Sequence, residues 1–358
     1  MLYPIKIAKI SRETKDAVSI QLAIPSELAA EFSYKPGQYL TLETMINGEL
    51  VRRAYSLCSS PFTDSAPAIG VKKVFEGKMS SFLNDALKEG DEIQVLPPNG
   101  KFVVDINANT RQHYVLFGGG SGITPLLSIL KSLLNQEPNS TITLIYANKT
   151  KDEVMFSNVI DQLADKNKDR FKVFYSYDSA PMMWFGLKGI LNMEKVGQIL
   201  QSRIQGSYLD CKYYICGPTG MMDVVKQGLS NNGVPADAIF TEYFTSPTAS
   251  NKTDVSVTID AVDNNFKGYG SVKVHLYGKV HEIEIDDKTT ILDAANHEGL
   301  QPPYSCTIGV CTTCRAKLIK GDVHMIEREG LSDAEIAEGY ILTCQSQIRS
   351  NEVELKFE

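Results

Sequence analysis

The stretch Pro303-Tyr-Ser-Cys-Thr-Ile-Gly-Val-Cys-Thr-Thr-Cys314, answered by Gly339-Tyr-Ile-Leu-Thr-Cys344, decides how the last third of this chain is built. Four of the seven cysteines lie in it, spaced Cys306-x4-Cys311-x2-Cys314, with twenty-nine residues before Cys344. Three thiolates from one tight loop and a fourth from a distant segment is the spacing that encloses two irons and two sulfides. A zinc site instead shows paired short spacings on both sides. Gly309 lets the loop turn without a Cβ clash and aim backbone N–H groups at the sulfurs. Cys58 and Cys211 carry no motif and read as packed core thiols. No disulfides are expected.

Around this loop, Val272–Leu276 and His281–Ile285 read as a hairpin about Gly278-Lys279, and Thr290–His297 as a helix. The polar, aperiodic stretch Ser246–Thr253 reads as a linker. Before it, from His113, strands and helices alternate. Strands are expected at 114–117, 141–147, 171–177 and 213–216, with helices at 125–134, 156–164 and 221–229. That alternation implies a parallel sheet with ligands at its carboxyl ends. Residues 1 to 106 instead alternate apolar and polar positions between turns at Pro36-Gly37, Asn47-Gly48, Gly90-Asp91 and Pro97–Gly100, with one helical run at 80–88. The fold class expected is multidomain. An antiparallel β-barrel spans 1–106, an α/β parallel-sheet domain 107–246, a linker 247–253, and an α+β domain around the cysteine loop 254–358.

A length of 358 residues suits three cores, and 43% hydrophobic with 22% charged residues is a globular composition. Lys6, Lys9 and Arg12 interrupt any signal-peptide h-region, and no run reaches the ~18 apolar residues of a membrane span, so a cytoplasmic location is expected. From Asp254 to Glu358 there are 18 acids and 10 bases, a net of -8 within a total of -7. Nucleic acid is thereby disfavoured as a partner of that part, whereas a basic protein surface suits it.

Two further segments carry chemistry. Gly118-Gly-Gly-Ser-Gly-Ile-Thr-Pro125 lies between a predicted strand and helix, where glycines admit a diphosphate to the helix N-terminus. Arg53-Ala-Tyr-Ser56, after Pro36-Gly37-Gln38-Tyr39, offers a bidentate cation, an aromatic face and a hydroxyl. Alone, each pattern also fits an ordinary half-exposed strand or a bland glycine-rich turn.

Together these motifs resemble the ferredoxin-NADP reductase superfamily in the form that carries a C-terminal plant-type 2Fe-2S ferredoxin domain. The resemblance covers nearly the whole chain. With the segment Lys320-Gly-Asp-Val-His-Met325, it points to the reductase components that serve phenylacetyl-CoA epoxygenase and its relatives. It implies that Arg53, Tyr55 and Ser56 hold FAD, with Gly77, Lys78, Met79 and Ser80 cradling its pyrophosphate at a helix start. Gly120, Gly122, Thr124 and Pro125 would take the nicotinamide dinucleotide. Cys216, Gly217 and Pro218 would lie beside the nicotinamide, and Glu242 and Phe244 beside the flavin. Ser56, Cys216 and Glu242 are the implied catalytic group. Cys306, Cys311, Cys314 and Cys344 would ligate the cluster.

Lys149, at one predicted strand end, and Ser176, at the next, would meet a 2′-phosphate, which favours NADPH over NADH. Asp178 and the missing arginine beside Ser176 argue the other way. The implied activity is hydride transfer to FAD followed by single-electron transfer through the cluster to a protein acceptor. That acceptor is expected to be an oxygenase component of the di-iron aryl-CoA epoxygenase type. A general ferredoxin or cytochrome reductase, a reductase for a fatty-acid hydroxylase or desaturase, and a non-catalytic redox sensor are the rival readings. The sensor is disfavoured because it needs no hydride site.

Overall fold

In a computed structural model, which describes residues 1–244, 254–259 and 265–357, the chain forms two compact units, Met1–Phe244 and Thr245–Glu358. The expected linker lies outside the described residues.

Six antiparallel strands open the first unit: β1 Tyr3–Thr14, β2 Ala17–Ala23, β3 Tyr39–Ile46, β4 Glu49–Ser56, β5 Ala68–Lys72 and β6 Glu92–Asn99, in the order β4-β3-β6-β1-β2-β5. A bridge between Leu57 and Ile69 joins the two edge strands and curls the sheet into a barrel. Inward residues such as Ile7, Ile20, Leu42 and Val95 fill it, as period-two patterning requires. Two expectations are corrected here. The helix α1 is Lys78–Asp85, starting two residues before the predicted run and ending sooner. Pro97 and Pro98 lie inside β6 and not in a turn. The reason is that β1 pairs with β6 only over Glu92–Val95, so the missing N–H groups fall on an open side, next to a bulge opposite β3.

The second half of this unit is a parallel sheet of β7 His113–Gly119, β8 Thr141–Asn148, β9 Phe171–Tyr177, β10 Leu187–Lys188, β11 Lys212–Cys216 and β12 Ile239–Glu242, in the order β10-β9-β8-β7-β11-β12. Its helices are α2 Ile123–Gln136, α3 Ser157–Lys166, α4 Met193–Arg203 and α5 Thr219–Asn231. The strand order reverses between β7 and β11, and a ligand crevice opens at such a reversal. The sequence reading passed over α4 and β12. The helix had a usable signal in the Asn192 cap and in Val196, Ile199 and Leu200, which are buried at helical spacing.

The second unit holds β13 Val255–Ile259, β14 Tyr269–Leu276, β15 Lys279–Asp286, β16 Arg315–Met325, β17 Tyr340–Leu342, β18 Ser346–Ile348 and β19 Glu352–Phe357, with α6 Ile291–His297 and α7 Asp333–Ala337. The main sheet runs β13-β16-β19-β14-β15 around its own core. The hairpin turns at Tyr277-Gly278, both at positive φ, and not at Gly278-Lys279. Lys279 pairs with Leu276 and so belongs to the ladder.

Candidate functional site

The barrel and the parallel sheet share a cavity of about 530 Å³. Arg53, Tyr55 and Ser56 from β4 line it, together with Gly77, Lys78, Met79 and Ser80 at the start of α1, Thr124 of α2, and Phe244. Tyr55 is half-buried, and desolvation raises its phenol well above the ordinary value, with Arg53 opposing that rise. Arg53 is exposed toward the cavity and donates to the Arg52 carbonyl at 2.7 Å, while Arg52 is buried against Glu43 at 2.6 Å. Strand alternation thus sends one arginine into a buried ion pair and leaves the other to the cavity. No side chain caps α1, and no acid lies in its first turn. Its first N–H groups therefore suit an anion, and a pyrophosphate fits there. The sequence reading missed Gly70, which also lines the cavity. Its signal was a glycine inside a strand, which marks close approach by another element.

At the strand reversal, Cys216 pairs in register with Gly118 on one side and Glu242 on the other. Ser56 Oγ donates to Glu242 Oε2 at 3.3 Å, bringing a barrel residue onto the end of the parallel sheet. Burial pushes the Glu242 carboxyl up to about 8, against the hydrogen bond from Ser56, which lowers it. Cys216 is raised as well, first by burial and then by Glu242. Gly122 lies directly on the peptide after Cys216. A Cβ there would fall 2.2 Å from the Cys216 carbonyl oxygen and 2.5 Å from the Gly217 nitrogen. Neither α2 nor α5 has a side-chain cap or a first-turn acid. Gly122 thus meets Cys216 and Gly217, and Gly119 meets Pro218, with Gly120 and Pro125 two residues before and three residues after Gly122 on the same loop. A dinucleotide phosphate suits the two uncapped helix starts.

Lys149 and Ser176 stand apart from this group, at the ends of β8 and β9. Lys149 is exposed. Ser176 is buried and its Oγ turns toward the Gly189 carbonyl at 3.5 Å, which withdraws it from a ligand at the strand end. Asp178 is exposed just beyond it.

In the second unit the four thiols lie within hydrogen-bonding reach of one another in the series Cys311, Cys306, Cys344, Cys314. Hydrogen bonds from Cys311 and then Cys344 lower Cys306, and the N–H groups of Ile308 and Cys311 also point at it. The hydrogen bond from Cys344 lowers Cys314. Three thiols from one loop and a fourth from the return segment supply the donor set that a 2Fe-2S cluster needs. Gly309 has φ 79°, and a Cβ there would meet Glu327 Cγ at 2.6 Å.

Three family models cover the chain in order: an oxidoreductase FAD-binding domain over 4–104, an oxidoreductase NAD-binding domain over 116–227, and a 2Fe-2S iron-sulfur cluster binding domain over 274–349. The chain is 33% identical over 357 residues to a subunit of 1,2-phenylacetyl-CoA epoxidase from Escherichia coli K12, covering 99% of this chain and 98% of that one. The chain belongs to the ferredoxin-NADP reductase family with a fused 2Fe-2S domain. This reductase is also 34% identical to the ferredoxin reductase component of 3-ketosteroid-9-alpha-monooxygenase from Rhodococcus rhodochrous, over 98% of this chain and 95% of that one. Phthalate dioxygenase reductase shares its fold, with a TM-score of 0.58 at 23% identity over 99% of this chain and 98% of that one. The reductase is an NAD(P)H-dependent electron-transfer component of an oxygenase system, with FAD and a 2Fe-2S cluster as cofactors. No helix among the described residues is long and apolar enough to cross a membrane.

Proposed function

We propose that the junction of Ser56, Glu242 and Cys216 is where hydride passes from the dinucleotide to the flavin, and that these three are the catalytic residues. The 3.3 Å contact between Ser56 and Glu242, made at the strand reversal, carries this reading. When bound, FAD accepts the hydride and releases its electrons singly, and the cluster carries them onward one at a time. Arg53 and the start of α1 bind the flavin diphosphate, and Tyr55 covers the ring. Gly120–Pro125 and Gly217–Pro218 would seat the dinucleotide, with Cys216 beside the nicotinamide. Glu242, neutral up to about pH 8, holds a proton beside Ser56. Cys306, Cys311, Cys314 and Cys344 ligate the cluster. The domain division at 106 and the linker 247–253 belong to the same reading.

The purified reductase should contain FAD, together with iron and acid-labile sulfide in equal amounts. Arg53→Ala should lose FAD on gel filtration, because truncating the partner of a buried charge costs roughly 2–5 kcal/mol. Full FAD content in that variant would remove Arg53 from the site.

Glu242 also gives a pH signature. Its folded value, about 8, lies above the ordinary 4.5. The stability its proton confers is therefore complete below about 4.5 and is lost as pH rises through about 8. Urea midpoints of the wild type should decline across that window relative to Glu242→Gln. Parallel curves for the two proteins would refute the burial of this acid.

The coenzyme is read from the ends of β8 and β9. With Ser176 turned inward, Lys149 remains of the two residues expected to meet a 2′-phosphate, and the exposed Asp178 suits a ribose hydroxyl. This favours NADH, against the NADPH expected from sequence. The ratio of kcat/KM for the two coenzymes tests it, and Asp178→Ser should shift that ratio toward NADPH.

The match to the epoxidase subunit supports an aryl-CoA epoxidase as the acceptor, in keeping with the di-iron type expected from sequence, and the match to the ketosteroid component favours a steroid monooxygenase as the second reading. The net charge of -8 from Asp254 onward is carried by the cluster part and suits a basic protein face and not nucleic acid. A four-thiolate site needs reduced cysteines, which supports a cytoplasmic location.

A further inference from the structure

Helix α2 is buried along most of its length, yet Ser128, Lys131 and Ser132 lie on one face of it, three and four residues apart. A buried hydroxyl must find a partner or cost stability. All three polar side chains find theirs in the barrel segment that follows β4. Ser128 Oγ donates to the Ser59 carbonyl at 2.6 Å, and Ser132 Oγ is hydrogen-bonded to Ser60 Oγ at 2.7 Å. Lys131 Nζ reaches both Asp64 carboxylate oxygens at 3.1 Å. The four serines are at most 2% exposed. The barrel side is itself fixed. Tyr34 shares a 2.7 Å hydrogen bond with Ser59 Oγ, and the Ser60 N–H donates to Asp64 at 2.7 Å. One turn toward the helix N-terminus, Thr124 rests on Gly70 of β5, where a Cβ would fall 2.3 Å from Thr124 Cγ2.

One stripe of α2 is thus attached to the barrel at three successive turns. The stripe begins beside the dinucleotide loop, and the barrel segment begins three residues after Ser56. Sliding or rolling the helix breaks these bonds together, so the attachment fixes where the dinucleotide lies relative to the flavin strand.

We propose that Ser128, Lys131 and Ser132 are positioning residues that set the hydride-transfer distance, touching neither cofactor. The proposal rests on the hydride-transfer reading given above. It explains why an otherwise leucine-rich helix carries hydroxyls where apolar contact would suffice for folding. A displacement of 1 Å at a reacting pair costs on the order of 10²-fold in rate.

The test uses full-length, cofactor-loaded protein in anaerobic stopped flow, following flavin bleaching by NADH and by NADPH. Ser128→Ala/Ser132→Ala should keep FAD content and coenzyme dissociation constants within about twofold, while hydride transfer slows roughly tenfold or more and its primary deuterium isotope effect rises. Lys131→Met, at the partly exposed end, serves if the double variant folds poorly. It should slow transfer measurably, and Lys131→Arg, which can keep the pair with Asp64, should restore it. Unchanged transfer in Lys131→Met and the serine variant, or slowing that only follows loss of FAD or of coenzyme affinity, overturns the proposal. Absence of bleaching in the wild type would instead refute the hydride-transfer reading itself.

Discussion

A chain ended after Phe244 is expected to reduce ferricyanide with NAD(P)H at close to the full-length rate while losing transfer to its oxygenase. The cut falls where the first compact unit ends, and both cores of that unit lie within it, so the remaining protein should fold. Phe244, which lines the flavin cavity, is retained. Ferricyanide is small enough to take electrons at the cavity, whereas a protein acceptor is served by the cluster. Transfer to the oxygenase should fall to roughly a hundredth or less, since the oriented route no longer exists. Cys311→Ser tests the same point with the second unit still attached, because it removes one of the four thiols proposed to hold the cluster and leaves the flavin half untouched. Full oxygenase activity in either variant would make the flavin the exit and assign the cluster domain to docking.

Gly122→Ala should be the most damaging single substitution in the nicotinamide half. The added methyl would lie 2.2 Å from the Cys216 oxygen, 2.3 Å from its carbonyl carbon and 2.5 Å from the Gly217 nitrogen. These are backbone atoms at the end of β11 and directly after it, so no rotamer change relieves the overlap, and the two loops must part. Overpacking of this kind costs roughly 1–3 kcal/mol in stability. A separation near 1 Å would cost about 10²-fold in hydride transfer. The atoms nearest the added methyl all belong to the nicotinamide half, so FAD should remain bound. Stopped-flow bleaching against FAD content separates the two effects. Transfer within about twofold of wild type would show that the crevice tolerates the methyl and that the approach of these loops is not what positions the nicotinamide.

Much of this was legible in the residues alone, and for identifiable reasons. The cysteine spacing is set by covalent chemistry, because four thiolates reach a small core only through a tight loop and a return segment. The alternation of strands and helices after His113 follows from burial periodicity, and all four predicted strands lie within β7, β8, β9 and β11. The glycine loop was legible because only glycine permits such approach. Errors fell where the deciding partner is distant in sequence. Pro97 and Pro98 look like a turn until β1 is seen to stop pairing at Val95. The partner of the Ser176 hydroxyl, the Gly189 carbonyl just after β10, was likewise not legible in the sequence.

The sequence by itself determined the order of three cofactor chemistries and the spacing of the four cysteines proposed as cluster ligands, since these depend on local spacing and side-chain identity. Only the tertiary structure decided which groups meet. Ser56 and Glu242 are 186 residues apart and touch because β12 pairs beside β11 at the strand reversal while the barrel closes over that edge. The proton affinity of Glu242 likewise has no sequence signature, because it comes from desolvation by elements that assemble only in the folded chain. The attachment of α2 to the segment after β4 belongs to the same class. A serine in a helix announces a hydroxyl, but its partner is chosen by how two domains pack.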